Sequence, residues 1–172
     1  MHKQVAQFIE TIKLVHPGFF RYVSVLDCGS LDINGSNRRF FADSVYTGID
    51  IVDGRNVEVV TRVHDFKPNK LFDVVISTEM LEHDEYCMKS LAKMFSLLSP
   101  GGLLIITAAA WARKEHGTID HSPKDSPATN DYYKHIDIYT FASSLPMHGF
   151  STWQLTSNDV DIQFHAIKKP CN

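Results

Sequence analysis

The sequence predicts an α/β protein with a doubly wound, mostly parallel seven-stranded sheet. Two observations carry this prediction. Strand-like runs alternate with helical patterns along the chain, and residues 103–107 are almost wholly apolar, as expected of a central parallel strand. The 172 residues suit one domain, 1–172. With 44% apolar and 22% charged residues, the composition excludes collagen-like, disordered and disulfide-scaffold classes.

Each element has its own signal. Apolar residues at helical spacing predict helices over 3–15 and 84–97, and shorter helices are predicted over 37–42 and 138–146, the last ended or kinked by Pro146. β-branched and apolar runs predict strands over 22–26, 45–49, 57–61, 72–77, 103–107, 150–156 and 160–168. The short turn 157–159 between the last two strands predicts a C-terminal β-hairpin.

Charge and cysteine usage limit the surroundings and partners. The formal charge is −3, so the chain has no strong basic field, and we expect no nucleic-acid partner. Three cysteines without a CxxC pair favour a reducing compartment. Neither a signal-peptide pattern nor an apolar run long enough to span a bilayer is present. We therefore expect a cytoplasmic protein with no membrane contact; its oligomeric state is left open.

Ligands of such sheets bind at the carboxyl ends of the strands, so the residues there are the candidate site. Gly29, after the first strand, allows a ligand to approach the backbone closely. Asp50 ends the second strand, 23 residues after Asp27, and a carboxylate there can accept hydrogen bonds from two ribose hydroxyls. After the third strand, Asp65 and Phe66 suit an adenine ring or, alternatively, a surface turn and core packing. The glycine spacing is not G-x-G-x-x-G, which argues against a nicotinamide dinucleotide.

Four segments carry a family resemblance. In order, VLDCGSLDINGS, YTGIDI, FDVVISTEMLEH and LLSPGGLLIIT resemble the class I S-adenosylmethionine-dependent methyltransferases, over residues 22–109. The resemblance implies a Rossmann-like methyltransferase fold, S-adenosylmethionine as cofactor and S-adenosylhomocysteine as product. It also implies cofactor contacts: the methionine part at Asp27, Gly29 and Ser30, the ribose at Asp50 and Ile51, the adenine at Asp65 and Phe66, and the sulfonium beside Glu79.

The sequence departs from the family pattern in two places. Residues 30–34 replace the further glycines that usually follow Gly29, which puts the path of this loop in doubt. The connection between the second and third strands is too short for a full helix. We therefore expect a trimmed version of the fold.

The polar stretch 111–133 follows the fifth strand, where substrate should enter, and we favour a substrate lid over a solvated surface loop. Within it, His116 and His121 are the candidate general bases, because a neutral imidazole accepts protons near physiological pH. Glu79 and His83 complete the candidate catalytic residues. We expect methylation of a small molecule at oxygen.

Two alternatives remain open. Glu79, Glu82 and His83 share one side of a helical turn, and with a further histidine they would resemble the site of metal-dependent small-RNA 2′-O-methyltransferases. The same pattern occurs in many methyltransferases of this class that need no metal, so we expect no resident metal. The other alternative is a methyltransferase-fold protein that binds the cofactor without catalysis.

Overall fold

The computed structural model describes residues 2–171, which contain a seven-stranded sheet in the order β3-β2-β1-β4-β5-β7-β6. The strands are β1 Ser24–Cys28, β2 Val45–Asp50, β3 Val59–Val60, β4 Phe72–Thr78, β5 Leu98–Ala109, β6 Phe150–Ser157 and β7 Asp161–Lys168. The pairs among β1 to β5 are parallel, whereas β7 is antiparallel to both β5 and β6. The expected fold class and C-terminal hairpin are confirmed.

The helices are α1 Lys3–Val15, α2 Cys87–Leu97 and α3 Ile138–Ser143. Short 3₁₀ turns connect other elements, over Pro17–Phe20, Asn37–Phe40, Val63–Asp65, Leu81–His83, Pro123–Asp125 and Met147–Gly149. No helix within residues 2–171 has the length and apolarity needed to cross a bilayer.

Two helices are shorter than their sequence patterns predict. α2 begins at Cys87 rather than at residue 84, because the Asp84 carboxylate accepts from the Tyr86 backbone N–H and forms a turn ahead of the helix. α3 ends at Ser143, before Pro146, since the residue preceding a proline is disfavoured in helical conformation. The predicted helix 37–42 is a single 3₁₀ turn over 37–40, with no helix between β2 and β3. The fold is thus trimmed, as expected.

The alternation of side chains along the strands divides the core into two layers. Val25, Val74 and Ile105 face α1, which buries Val5 and Ile9 against this side. On the opposite side, Leu26, Val75 and Leu104 pack with residues of α2 and α3, including Leu91 and Phe141. Both faces of the central strands are therefore covered, which is why residues 103–106 are continuously apolar.

β1 lies two residues later than predicted. Tyr22 adopts a left-handed backbone (φ 57°), so the extended pairing starts at Ser24 and runs to Cys28. Asp27 is therefore inside the strand, paired with Gly48 of β2 on one side and Ile76 of β4 on the other. Because β1 has β2 on one side and β4 on the other, the order of strands reverses here, and the carboxyl ends open into a crevice.

Candidate functional site

A cleft of about 360 Å³ opens at the carboxyl ends of β1, β2 and β4, beneath the segment that follows β5. A cleft of this size lies in the usual range for small-molecule sites. Eight of the residues proposed from sequence line it: Asp27, Gly29, Ser30, Asp50, Ile51, Glu79, His83 and His116. Asp65, Phe66 and His121 are not among its lining residues.

Gly29 turns the chain at the end of β1 with a left-handed backbone (φ +82°). Its N–H donates to the Ile49 carbonyl across 2.9 Å, which fixes the loop against β2. A Cβ at this position would lie 2.6 Å from Cγ of Met80, too close for any side chain. Only glycine fits both the conformation and the space, and it leaves the backbone open to a ligand in the cleft.

Asp50 connects the loops that follow β1 and β2. One carboxylate oxygen accepts from the Leu31 N–H at 3.1 Å, and the other accepts from the Val52 N–H at 3.2 Å. Burial raises the pKa of this carboxyl, and the backbone N–H groups partly offset the rise. Each oxygen keeps a lone pair beyond these bonds, so the carboxylate can still accept from a ligand hydroxyl.

Asp27 is buried beneath the cleft with both carboxylate oxygens paired. Asn37 donates an amide N–H to one oxygen at 3.0 Å, and the Tyr46 hydroxyl donates to the other at 2.7 Å. Burial raises the pKa of Asp27 to about 6, although these two hydrogen bonds oppose the rise. Asn37 also donates to the Thr78 hydroxyl and so connects β1 to the end of β4, a function that its place in a polar loop did not reveal.

Ser30 adds a free polar group to the same loop. Its hydroxyl oxygen is buried and has no hydrogen-bond partner among the described residues. A buried hydroxyl without a partner is costly in a folded chain. Because Ser30 lines the cleft, a polar ligand there can supply the missing bond.

The two residues expected to contact the adenine, Asp65 and Phe66, do not lie where the sequence predicts. Phe66 is buried in the core beside Phe72, with ring centroids 6.5 Å apart. The Asp65 side chain is 67% exposed and lies near His64. Of the 3₁₀ turn over Val63–Asp65, only Val63 lines the cleft. Thr61, Arg62 and Val63 line this part of the wall instead.

Glu79 follows β4 in a left-handed conformation (φ 54°), which is uncommon for a residue with a Cβ. The Thr107 hydroxyl donates to one carboxylate oxygen at 2.8 Å, and Arg113 donates to the other at 3.0 Å. Arg113 also pairs with the buried Asp161 of β7. These bonds hold Glu79 at the edge of the cleft and occupy its carboxylate. Sequence reasoning missed Arg113, although it stands in the segment expected to cover the site.

The imidazoles of His83 and His116 face each other in the wall of the cleft. Their Nε2 atoms are 3.4 Å apart, and the Tyr133 ring packs edge-on against both imidazoles. Burial, with a contribution from His116, lowers the pKa of His83 to about 4, so His83 is neutral near pH 7. His116 Nδ1 lies 3.1 Å from the Lys114 carbonyl. Because a carbonyl only accepts, Nδ1 of a neutral His116 carries the proton and Nε2 keeps its lone pair.

Glu82 is fully buried behind His83. Neither carboxylate oxygen has a hydrogen-bond partner among the residues that the structure describes. Burial and the nearby Glu79 raise the pKa of Glu82. The backbone N–H groups of Glu82 itself and of Ala109 offset part of this rise, although they lie outside hydrogen-bond geometry, and so does the charge of Arg113. Such a group is costly to bury unless a proton or cation neutralises it.

His121 lies on the outer part of the same segment. Its side chain is 60% exposed, and its Nδ1 is 3.5 Å from a Glu115 carboxylate oxygen. Of the two histidines proposed as bases, the structure therefore brings only His116 to the cleft.

Residues 24–151, about three quarters of the chain, match the family model described as a methyltransferase domain. No curated protein matches the chain in sequence.

Solved structures share the fold at low sequence identity. The chain is similar to the 1,6-didemethyltoxoflavin-N1-methyltransferase of Burkholderia thailandensis, bound to its substrate and S-adenosylhomocysteine (18% identity, TM-score 0.63, covering 95% of this chain and 79% of the other). It is also similar to the N-methyltransferase NodS of Bradyrhizobium japonicum WM9, in complex with S-adenosylhomocysteine (12% identity, TM-score 0.63, covering 95% of this chain and 86% of the other). A third similar structure is the magnesium protoporphyrin IX methyltransferase of Synechocystis PCC 6803 with bound S-adenosylmethionine (16% identity, TM-score 0.63, covering 96% of this chain and 80% of the other).

Proposed function

The chain belongs to the family of methyltransferase domains, which confirms its resemblance to the S-adenosylmethionine-dependent enzymes of class I. From this premise we propose that the protein transfers a methyl group from S-adenosylmethionine to an oxygen atom of a small-molecule acceptor bound in the cleft. One observation carries the proposal: the cleft joins Gly29 and Asp50, at adjacent strand ends, to the facing imidazoles of His83 and His116 at its other wall. Nucleoside-binding groups and a proton acceptor thus share one space.

Different residues at the strand ends would contact different parts of the cofactor. The open backbone at Gly29 and the unpartnered Ser30 hydroxyl suit the methionine part, which carries polar amino and carboxylate groups. Asp50 and Ile51 suit the ribose, with the Asp50 carboxylate accepting from its hydroxyls. Val63 supplies apolar surface for the adenine. Asp27 supports this arrangement from below, because its carboxylate is almost fully buried and is hydrogen-bonded to Asn37 and Tyr46.

Methyl transfer requires the acceptor atom to lie in line with the carbon–sulfur bond that breaks. The acceptor oxygen attacks the methyl carbon, the sulfonium takes the electron pair of the broken bond, and S-adenosylhomocysteine leaves neutral at sulfur. A hydroxyl acceptor must also lose its proton. We assign this proton to Nε2 of His116, which keeps its lone pair and lies beside His83. Glu79, held by Arg113 and Thr107, would lie between the cofactor and the acceptor.

The structural neighbours favour a small acceptor without fixing its atom. Two have names that state N-methylation, one of them of a toxoflavin precursor. The argument for oxygen rests instead on the imidazole pair, because a hydroxyl needs a base for transfer.

The experiment combines cofactor binding with an acceptor panel. Calorimetry should detect S-adenosylhomocysteine binding, and labelled S-adenosylmethionine should transfer its methyl group to at least one member of a panel of sugars, phenols and carboxylates. His116→Ala should keep cofactor affinity and lose about 10²-fold or more in rate, as expected for the loss of a general base. His148→Ala, which removes an exposed histidine outside the cleft lining, is the matched control.

Three outcomes would contradict the proposal. Weakened cofactor binding with an intact rate in His116→Ala would exclude it as the base. Cofactor binding without transfer to any acceptor would favour the catalytically inactive alternative. Transfer only to a short RNA, dependent on an added divalent cation, would select the RNA 2′-O-methyltransferase alternative.

A further inference from the structure

We propose that Glu82, His83 and His116 form a binding site for one divalent transition-metal ion. The site lies at the part of the cleft wall that His83 and His116 line. Each residue offers one ligand atom, and these atoms all lie within 4.8 Å of one another. Two imidazoles and one carboxylate are a donor set typical of zinc, iron and related first-row metals rather than of magnesium. This inference reverses the sequence-based expectation of no resident metal, and it does not depend on methyl transfer.

His116 is oriented as a metal ligand, with its Nε2 facing Nε2 of His83. The contact of His116 Nδ1 with the Lys114 carbonyl directs the lone pair of Nε2 toward His83. Metal-binding histidines commonly donate their other N–H to a backbone carbonyl in this way. The separation of 3.4 Å between the Nε2 atoms is long for a direct hydrogen bond, whereas two nitrogens on a tetrahedral zinc ion are about 3.3 Å apart.

Glu82 provides the second, independent observation. Its carboxylate is fully buried and has no hydrogen-bond partner among residues 2–171, yet one of its oxygens belongs to the same group of ligand atoms as the imidazoles. Buried carboxylates in folded proteins are normally paired or bound to a cation. The nearest guanidinium, Arg113, already serves Glu79 and Asp161. A cation between Glu82 and the imidazoles would supply the partner that the Glu82 oxygens lack.

The segment after β5 is packed closely enough to hold His116 in place. Gly117 has a left-handed backbone (φ +70°), and a Cβ there would lie 2.8 Å from Cε1 of His83 and 2.5 Å from Cβ of Ser126. The backbone beside His116 can approach His83 only because this residue is glycine. The Lys134 N–H also donates to the Glu82 carbonyl at 2.8 Å, and Tyr133 closes the remaining side.

A cation here would lower the pKa of an acceptor hydroxyl that binds to it. In that case the lone pairs of both imidazoles are used by the metal, and activation of the acceptor passes from His116 to the ion. Cofactor binding at Gly29 and Asp50 is unaffected by this change.

Cobalt(II) provides the direct test, because its visible absorption reports imidazole and carboxylate coordination. The 172-residue chain, treated with EDTA and dialysed, is titrated with Co²⁺ and then with Zn²⁺ as competitor. We expect binding of one equivalent, with absorption bands that Zn²⁺ abolishes. Glu82→Gln and His116→Asn should each weaken binding by at least about 100-fold, since each removes a direct ligand. His148→Ala, the exposed-histidine control, should bind as the unmodified chain does.

Absence of cobalt bands, or bands unchanged in both ligand variants, would overturn the inference. If Glu82→Gln fails to fold, His116→Asn decides, because that side chain lies on the connecting segment outside the core. Calorimetry with S-adenosylhomocysteine on the same samples separates the two proposals. A chain that binds the thioether but no metal contradicts only the metal site, whereas the reverse contradicts only the proposed methyl transfer.

Discussion

Arg113 donates to the Glu79 carboxylate at 3.0 Å and thereby joins the end of β4 to the segment that follows β5. The same guanidinium pairs with Asp161 at the start of β7. One residue thus connects a cleft wall to the C-terminal hairpin. Both carboxylates are largely buried, so their charges depend on this contact.

Removing that guanidinium should be costly. Arg113→Met leaves two buried carboxylates without a cationic partner, and we expect the free energy of unfolding to fall by about 3 kcal/mol. Urea denaturation measures the change. Arg113→Lys keeps the charge and should lose less. A change within about 0.5 kcal/mol for Arg113→Met, as at an ordinary surface site, would show that the network contributes little to stability.

The turn at Gly29 can be tested against a glycine of the same conformation. Gly101 has φ +78° with no atom near its Cβ position, whereas Gly29 has φ +82° and faces the Met80 side chain. Gly101→Ala should cost only the backbone strain, about 1–2 kcal/mol. Gly29→Ala should cost more by denaturation and should also weaken S-adenosylhomocysteine binding by calorimetry. Equal costs, with cofactor affinity unchanged, would mean that the close approach at Gly29 has no consequence.

Asp50 and Asp65 follow adjacent strands, but only Asp50 lines the cleft. With S-adenosylhomocysteine at 100 times its dissociation constant, stabilisation of about 2.7 kcal/mol is expected. For a chain of this length, that corresponds to a rise of about 5–10 °C in melting temperature. Asp50→Ala should abolish the rise, because the ribose loses its acceptor, and Asp65→Ala should retain it. An unchanged rise in Asp50→Ala would show that this carboxylate does not hold the ribose.

Asp27 should make stability depend on pH. Its pKa is raised from 3.8 to about 6 in the folded chain, so the folded state favours the protonated carboxyl. Its contribution to stability is fully present below pH 3.8 and is lost as pH rises through 6. The shift of about two pH units corresponds to about 3 kcal/mol. Asp27→Asn removes this titration.

The measurement is urea denaturation of both proteins between pH 4 and pH 7. The stability of the unmodified chain relative to Asp27→Asn should fall across this interval, whatever the other carboxyls contribute to both. A difference that stays constant with pH would contradict the assignment.

Much of the fold is predictable because the signals are local. The pattern at 3–15 identifies a helix by its periodicity, and the continuous apolar run at 103–107, preceded by a Pro-Gly turn, indicates a buried strand. The start of β1 is not predictable in this way, since an apolar, β-branched run gives no sign of the left-handed backbone at Tyr22. The end of α3 is easier to predict, because Pro146 prevents the helix from continuing.

The site divides in a similar way. Asp50 and Gly29 are predictable, because a strand end and a family pattern coincide there. Phe66 differs because an aromatic side chain after a short strand fits either a ligand ring or the core, and only packing decides between them. Arg113 and the pairing of His83 with His116 depend on how the segment after β5 folds back over β4. Contacts between residues 30 or more positions apart leave no periodic signal in the sequence.

The most direct test of the account is a crystal structure of the 172-residue chain with S-adenosylhomocysteine. We predict that the thioether occupies the cleft beside Gly29, with its ribose hydroxyls within hydrogen-bond distance of Asp50 and its sulfur facing the side of His83 and His116. A nucleoside bound outside this cleft, or a cleft that stays empty at saturating ligand, would contradict the central claim.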